Sequence, residues 1–148
     1  MKAGVGWLLL TGMLTQAPAA PVKPYDIRAL KLGTLSTIVI ALESDCKPCF
    51  DSIEFYKRLM NLPGMDGSKR RVVVVAMDGV WPVKKRTDAL SFKPHRLTSG
   101  PYPGRDLPGV KAAPTILVFD RAGKQRGVWT GPFTPVQQKA VIAAATAR

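Results

Sequence analysis

Cys46-Lys47-Pro48-Cys49 is the stretch of this chain whose residue types and spacing could do chemistry, and it holds both of the cysteines in the sequence. Two thiols set two residues apart can cycle between a dithiol and a disulfide. The thiolate is the reactive form, so the question is what would stabilise negative charge on sulfur there. Upstream lies the apolar, β-favouring run Thr37-Ile38-Val39-Ile40-Ala41-Leu42. Downstream, Cys49, Ile53, Tyr56 and Met60 recur with a helical period. The pair therefore falls where a buried strand ends and a helix begins. There the first helical N–H groups and the positive end of the helix dipole can favour a thiolate. Pro48 in the first turn costs no hydrogen bond and presets the helical φ. The residues alone also allow a structural bridge, half of a metal site or two core cysteines. A bridge closing so short a loop would constrain the unfolded chain little, which weighs against a staple.

The elements that must hold this pair are legible along the chain. Thr37 to Leu42 reads as a strand buried on both faces. A helix from about Lys47 should end near Asn61, because Pro63-Gly64 cannot continue it. Val72 to Met77 is a second buried strand, and strand, helix, strand at this spacing predicts a parallel βαβ unit. Pro82 to Phe92 fits a short helix. Lys93 to Gly109 is broken by four prolines and three glycines and reads as a long surface loop, with a short strand at His95 to Thr98. His95 is the sole histidine; a surface-loop residue is its plain reading, with proton donor or metal ligand as the alternatives. Ile116 to Phe119 and Gln125 to Thr130 form an antiparallel hairpin about the turn Asp120 to Lys124, with Trp129 packed on the sheet. Thr134-Pro135-Val136-Gln137 has the form of a capping box, opening a last helix of about twelve residues. The order predicts a mixed sheet with helices on it, an α/β sandwich.

The amino terminus reads as a secretory signal. Met1-Lys2 gives a small positive region, Val5 to Leu14 an apolar core, and Ala17-Pro18-Ala19 a small-residue cleavage site. The expected division is residues 1–19 as signal peptide, 20–36 as lead-in and 37–148 as one domain. The apolar run falls short of the ~20 residues that span a bilayer, so no stable membrane span is expected and the mature protein should be exported and soluble, in the periplasm or another extracytoplasmic space. Outside the cytosol a thiol pair can persist as a disulfide. Hydrophobic content of 46 % excludes a disordered chain, and no repeat is visible. The net charge of +12 would favour acidic partners or anionic surfaces. Yet no nucleic-acid-binding signature accompanies it, so solvated basic loops are the simpler reading and no nucleic-acid partner is expected.

Taken in order, these motifs resemble the thioredoxin-like superfamily, and within it the exported TlpA-like thiol–disulfide oxidoreductases. Cys46-Lys47-Pro48-Cys49 is similar to the family's Cys-x-Pro-Cys site, Val110 to Thr115 to the stretch with its cis-proline, and Asp120 to Thr130 to its "DRxGK" hairpin. The resemblance runs from about Thr37 to the carboxyl end and is poorest across Lys93 to Pro108. It implies a thioredoxin fold, with Cys46 as nucleophile, Cys49 as resolving thiol, and Ala113, Pro114 and Thr115 as the segment receiving an extended substrate. It implies no cofactor and no resident metal, protein dithiols or disulfides as substrates, and a thiol electron donor as partner, with reduction the expected direction. Two departures stand out. Asp45 occupies the place where cytosolic thioredoxins usually carry tryptophan before the first cysteine, and Ile40 that of their buried acid. A proton acceptor for Cys49 would then come from Glu43, Asp45, Asp51, Glu54 or water. An oxidase or isomerase is the rival within the class; the rivals outside it are a copper metallochaperone using Cys46 and Cys49, with or without His95, and a binding module that has kept the fold without turnover.

Overall fold

The computed structural model describes Leu30, residues 32–99 and residues 109–147. The expected signal peptide, most of the lead-in segment and residues 100–108 of the long loop lie outside the described residues. Five strands form one sheet in the order β3-β2-β1-β4-β5, with β1 Ser36–Leu42 at its centre. The pairing of β1 with β2 (Arg70–Ala76) is parallel, as the βαβ reading requires, and β3 (Arg96–Ser99) continues in parallel on the outer edge of β2. On the other side β4 (Thr115–Phe119) runs antiparallel to β1, and β5 (Gln125–Thr130) antiparallel to β4.

The apolar runs alternate between two cores, which is why they are continuous rather than polar at every second position. Ile38, Ile40 and Leu42 join Val72, Val74, Ile116 and Val118 on the face that carries the helices. Val39 and Ala41 join Val73, Val75 and Leu117 on the opposite face, beneath Leu30 and Val110. The first core takes in Ile53, Phe55, Tyr56 and Leu59 of α2 (Ile53–Met60), Val83 of α3 (Val80–Ala89) and Val141 and Ala145 of α4 (Pro135–Thr146). Tyr56 is fully buried there, its ring 5.8 Å from that of Phe92 and 6.2 Å from that of Phe133. Burial pushes its phenol well above the usual range, with Ser52 opposing weakly.

The single helix expected from Lys47 to Asn61 is two: α1 (Lys47–Asp51) and α2 (Ile53–Met60). Ser52 between them has φ −91° and ψ 6°, and its hydroxyl donates to the Pro48 carbonyl one turn back at 3.0 Å. Such back-bonding by serine competes with the helical ladder and bends helices. Apolar periodicity runs through the break, so it hid the bend. The third helix, α3 (Val80–Ala89), starts two residues before Pro82, which sits in its first turn. The capping box at Thr134 is present in both halves and opens α4 (Pro135–Thr146).

Candidate active site

β1 delivers the cysteine pair. Its last residue, Leu42, accepts a hydrogen bond from the Met77 N–H at 2.8 Å, so the chain leaves the sheet beside the end of β2. Ser44 then donates its backbone N–H to both oxygens of Asp78, at 3.0 and 2.9 Å, and its hydroxyl to the same carboxylate. That clamp lies two residues ahead of Cys46. Cys46 is extended, with φ −110° and ψ 96°, and caps α1: its Sγ accepts the Cys49 N–H at 3.2 Å. The two sulfurs are joined as a disulfide, with Cα atoms 5.2 Å apart. Cys46 keeps 8 % of its surface exposed and Cys49 none, so what exposure the pair has lies on Cys46.

The motif residues between them face water. Lys47 is exposed and pairs with Asp51 one turn on, at 2.5 Å. Pro48 is exposed in the first turn. Behind them Phe50, half-buried, lies under the Arg86 guanidinium of α3, whose Cζ is 5.0 Å from the ring centroid.

The second wall comes from the start of β4. Register pairs Thr115 with Ala41, so Ala113 and Pro114 enter the sheet at the pole where Cys46 leaves it. The Ala113–Pro114 bond is cis, and Ala113 packs against the core cluster that holds both cysteines. The Gly131 N–H donates to the Pro114 carbonyl at 2.8 Å. A Cβ on Gly131 would lie 2.7 Å from the Pro114 ring, so glycine is what permits that approach. Gly131–Pro132 is a second cis bond, not anticipated from the sequence. The Thr115 hydroxyl is turned inward, donating to the Ala112 carbonyl at 2.6 Å and meeting Thr130 at 3.1 Å.

Among the described residues no carboxylate is buried, and Ile40 is fully buried. Of the four acids named for Cys49, Asp51 pairs with Lys47 and Glu54 with Lys57, while Glu43 is half-buried and Asp45 exposed. His95 is not brought to the cysteines. Its Nδ1 accepts the Val72 N–H at 3.0 Å, near the start of β2, the end of the sheet opposite to Cys46. The copper site drawn from Cys46, Cys49 and His95 therefore does not assemble; the histidine completes a strand edge instead. Nor do the described residues hold any other group of three or more potential metal ligands. The Ser44–Asp78 clamp and Gly131 were missed by sequence reading. A serine two residues before the cysteine and an acid just past the second strand were visible, but their pairing depends on where two loops end.

A five-stranded mixed sheet of this order, with a Cys-x-x-Cys disulfide at a strand-to-helix junction, is a thioredoxin fold. Among solved structures the chain is similar to a Chlorobium tepidum protein classed as a thiol:disulfide interchange protein DsbE, with 24 % identity, a TM-score of 0.62, and coverage of 80 % of this chain and 84 % of that one. It is similar also to a thiol-disulfide isomerase from Corynebacterium glutamicum (17 % identity, TM-score 0.60, 86 % and 90 % covered). A third is a secreted Mycobacterium tuberculosis disulfide oxidoreductase (12 % identity, TM-score 0.57, 79 % and 84 % covered). No family model and no curated protein matches the sequence.

Proposed function

We propose that this chain is an exported thiol–disulfide oxidoreductase that reduces disulfides in proteins through Cys46 and Cys49. The observation that carries the reading is the cap: the sulfur of Cys46, the more exposed residue of the pair, sits where a backbone N–H points at it. In the reduced protein that N–H and the amino-terminal turn of α1 favour a thiolate on Cys46. The thiolate attacks one sulfur of a substrate disulfide, forming a mixed disulfide and releasing the other sulfur as a thiolate. Cys49 then gives up its proton, to water or to a nearby acid, and attacks Cys46. The Cys46–Cys49 bond forms, the second substrate sulfur leaves, and two electrons have passed to the substrate. An external thiol donor restores the dithiol.

Among the described residues nothing bonds to the Ala113 backbone, so its N–H and C=O remain available to pair with an extended substrate strand. Pro114 has no N–H to compete for that strand. Export is supported by the signal-like residues 1–19 and by the likeness to the secreted mycobacterial oxidoreductase. No helix among the described residues is long and apolar enough to cross a membrane.

The deciding experiment is insulin reduction by the chain in the presence of dithiothreitol, together with the reduction potential of Cys46–Cys49. Precipitation of the insulin B chain well above the dithiothreitol background, with a potential near the roughly −270 mV of thioredoxin, fits a reductant. A potential near the roughly −120 mV of DsbA makes the chain an oxidant. No acceleration at all leaves a binding module.

A further inference from the structure

The fold leaves a tryptophan in water. Trp81, in the first turn of α3, is 78 % exposed, and its bulk serves neither core. Large aromatic side chains left at a surface beside cations are where protein interfaces concentrate their binding energy. Its position is fixed relative to the disulfide from both ends of α3. Trp81 lies three residues after Asp78, which holds Ser44 just ahead of Cys46. Further along the helix Arg86 rests over Phe50, the residue after Cys49. Trp81, Lys84, Lys85 and Asp88 follow a helical stripe and line a shallow cleft of about 430 Å³. A second cleft of about 310 Å³ runs between Lys47 and Phe50 of α1 and Arg86 and Ala89 of α3.

The charge on this flank is unbalanced. Within α1 and α3 the two carboxylates are each taken by a neighbouring lysine, Asp51 by Lys47 and Asp88 by Lys84, while Asp78, ahead of α3, is taken by Ser44. Lys85 has no carboxylate partner among the described residues, and Arg86 is held by a ring rather than an acid. A guanidinium stacked on an aromatic face keeps its edge donors free for a carboxylate.

We propose that this α1–α3 flank docks an acidic segment, bearing an aromatic or other apolar side chain, of the protein whose disulfide is reduced. The apolar residue sits against Trp81, and the acids meet Lys85 and Arg86. The inference rests on the reductase reading and names its substrate class.

The test compares two synthetic peptides with the same internal disulfide and one phenylalanine, flanked by glutamates in one and lysines in the other. Reduced full-length protein is mixed with each, and with neutral hydroxyethyl disulfide as a small substrate. The acidic peptide should react about tenfold faster than the basic one at low ionic strength, the gap narrowing as salt is raised. Trp81→Ala and Lys85→Glu should each remove most of that preference while leaving the hydroxyethyl disulfide rate unchanged. Equal rates for the two peptides in the wild type, or a preference that survives both substitutions, would overturn the docking surface. Failure to reduce even hydroxyethyl disulfide would instead overturn the reductase. Docking is then read from tryptophan fluorescence of the wild type and of Trp81→Phe on adding a cysteine-free acidic peptide, where a saturable change in the wild type that Trp81→Phe lacks upholds the surface and no such change rejects it.

Discussion

Ser44 gives both its backbone N–H and its hydroxyl to one carboxylate, that of Asp78, and so fastens the segment leading to Cys46 onto the chain leaving β2. Hydrogen bonds to a charged acceptor are the stronger kind, and here they tie two loops that are 34 positions apart. Asp78→Ala should cost about 1–2 kcal/mol of stability. It should also slow exchange with protein substrates by several-fold, because the cap on α1 loses its anchor. Asp78→Asn, which keeps an acceptor without the charge, should recover most of the stability. A melting curve and an insulin-reduction rate for each variant check both statements. An Asp78→Ala protein as stable and as fast as the wild type would show the clamp to be idle.

The two cysteines should behave differently. Cys46→Ser removes the nucleophile and should abolish both turnover and alkylation of the reduced protein at neutral pH. Cys49→Ser keeps attack but loses release, so it should accumulate a mixed disulfide with substrate. Iodoacetamide labelling and non-reducing gels distinguish them. Trapping by Cys46→Ser in place of Cys49→Ser would reverse the assigned roles.

Gly131→Ala tests the wall opposite the disulfide. The new Cβ would sit 2.7 Å from the Pro114 Cγ and 3.2 Å from the Phe133 ring, neither of which is the free end of a flexible side chain. Relieving this should cost about 1–3 kcal/mol. Displacement of Pro114 should raise KM for protein substrates more than for hydroxyethyl disulfide. Equal changes in the two would mean that Gly131 matters only for packing.

Asp66 supplies a pH signature away from the site. The Ser68 hydroxyl and N–H, with the Lys69 N–H, hold its carboxyl down from 3.8 to about 2. A carboxylate depressed on folding stabilises the protein above its unfolded pKa, and that contribution disappears as pH falls through the folded value. The contribution of this turn before β2 is therefore complete above about pH 4 and fades towards pH 2. Carbon chemical shifts of Asp66 followed against pH should give a midpoint near 2, and Ser68→Ala should raise it. A midpoint that Ser68→Ala does not move would refute the assignment.

Much of this was legible because burial writes itself into composition. Ile38 to Leu42 and Val72 to Ala76 are apolar at every position since both sheet faces are covered, and the turn at Asp120 and the cap at Thr134 carry their own local chemistry. The bend at Ser52 was not, because one hydroxyl reaching back to Pro48 outweighs a periodicity that runs straight through it. His95 was hard for the opposite reason. Nothing beside it in the sequence reports that its ring completes the edge of β2 at Val72, and that partner arrives only through tertiary packing. At the site the cysteines announced themselves, while Asp78 and Gly131 act through residues far from them in sequence.

The antiparallel pairing of β4 with β1 has a consequence for how selectivity is lost. Cys46 and Cys49 are neighbours along the chain and can close their disulfide in almost any state of it. The Ala113 segment reaches them only through a strand registered across the middle of the sheet. Reactivity is therefore a local property of this polypeptide, whereas discrimination is a global one. As the molecule is loosened by heat or denaturant, it should turn from a choosy reagent into an indiscriminate dithiol before it stops reacting at all. Protein substrates would be lost with the cooperative transition, and small disulfides would continue to be consumed by the unfolded chain.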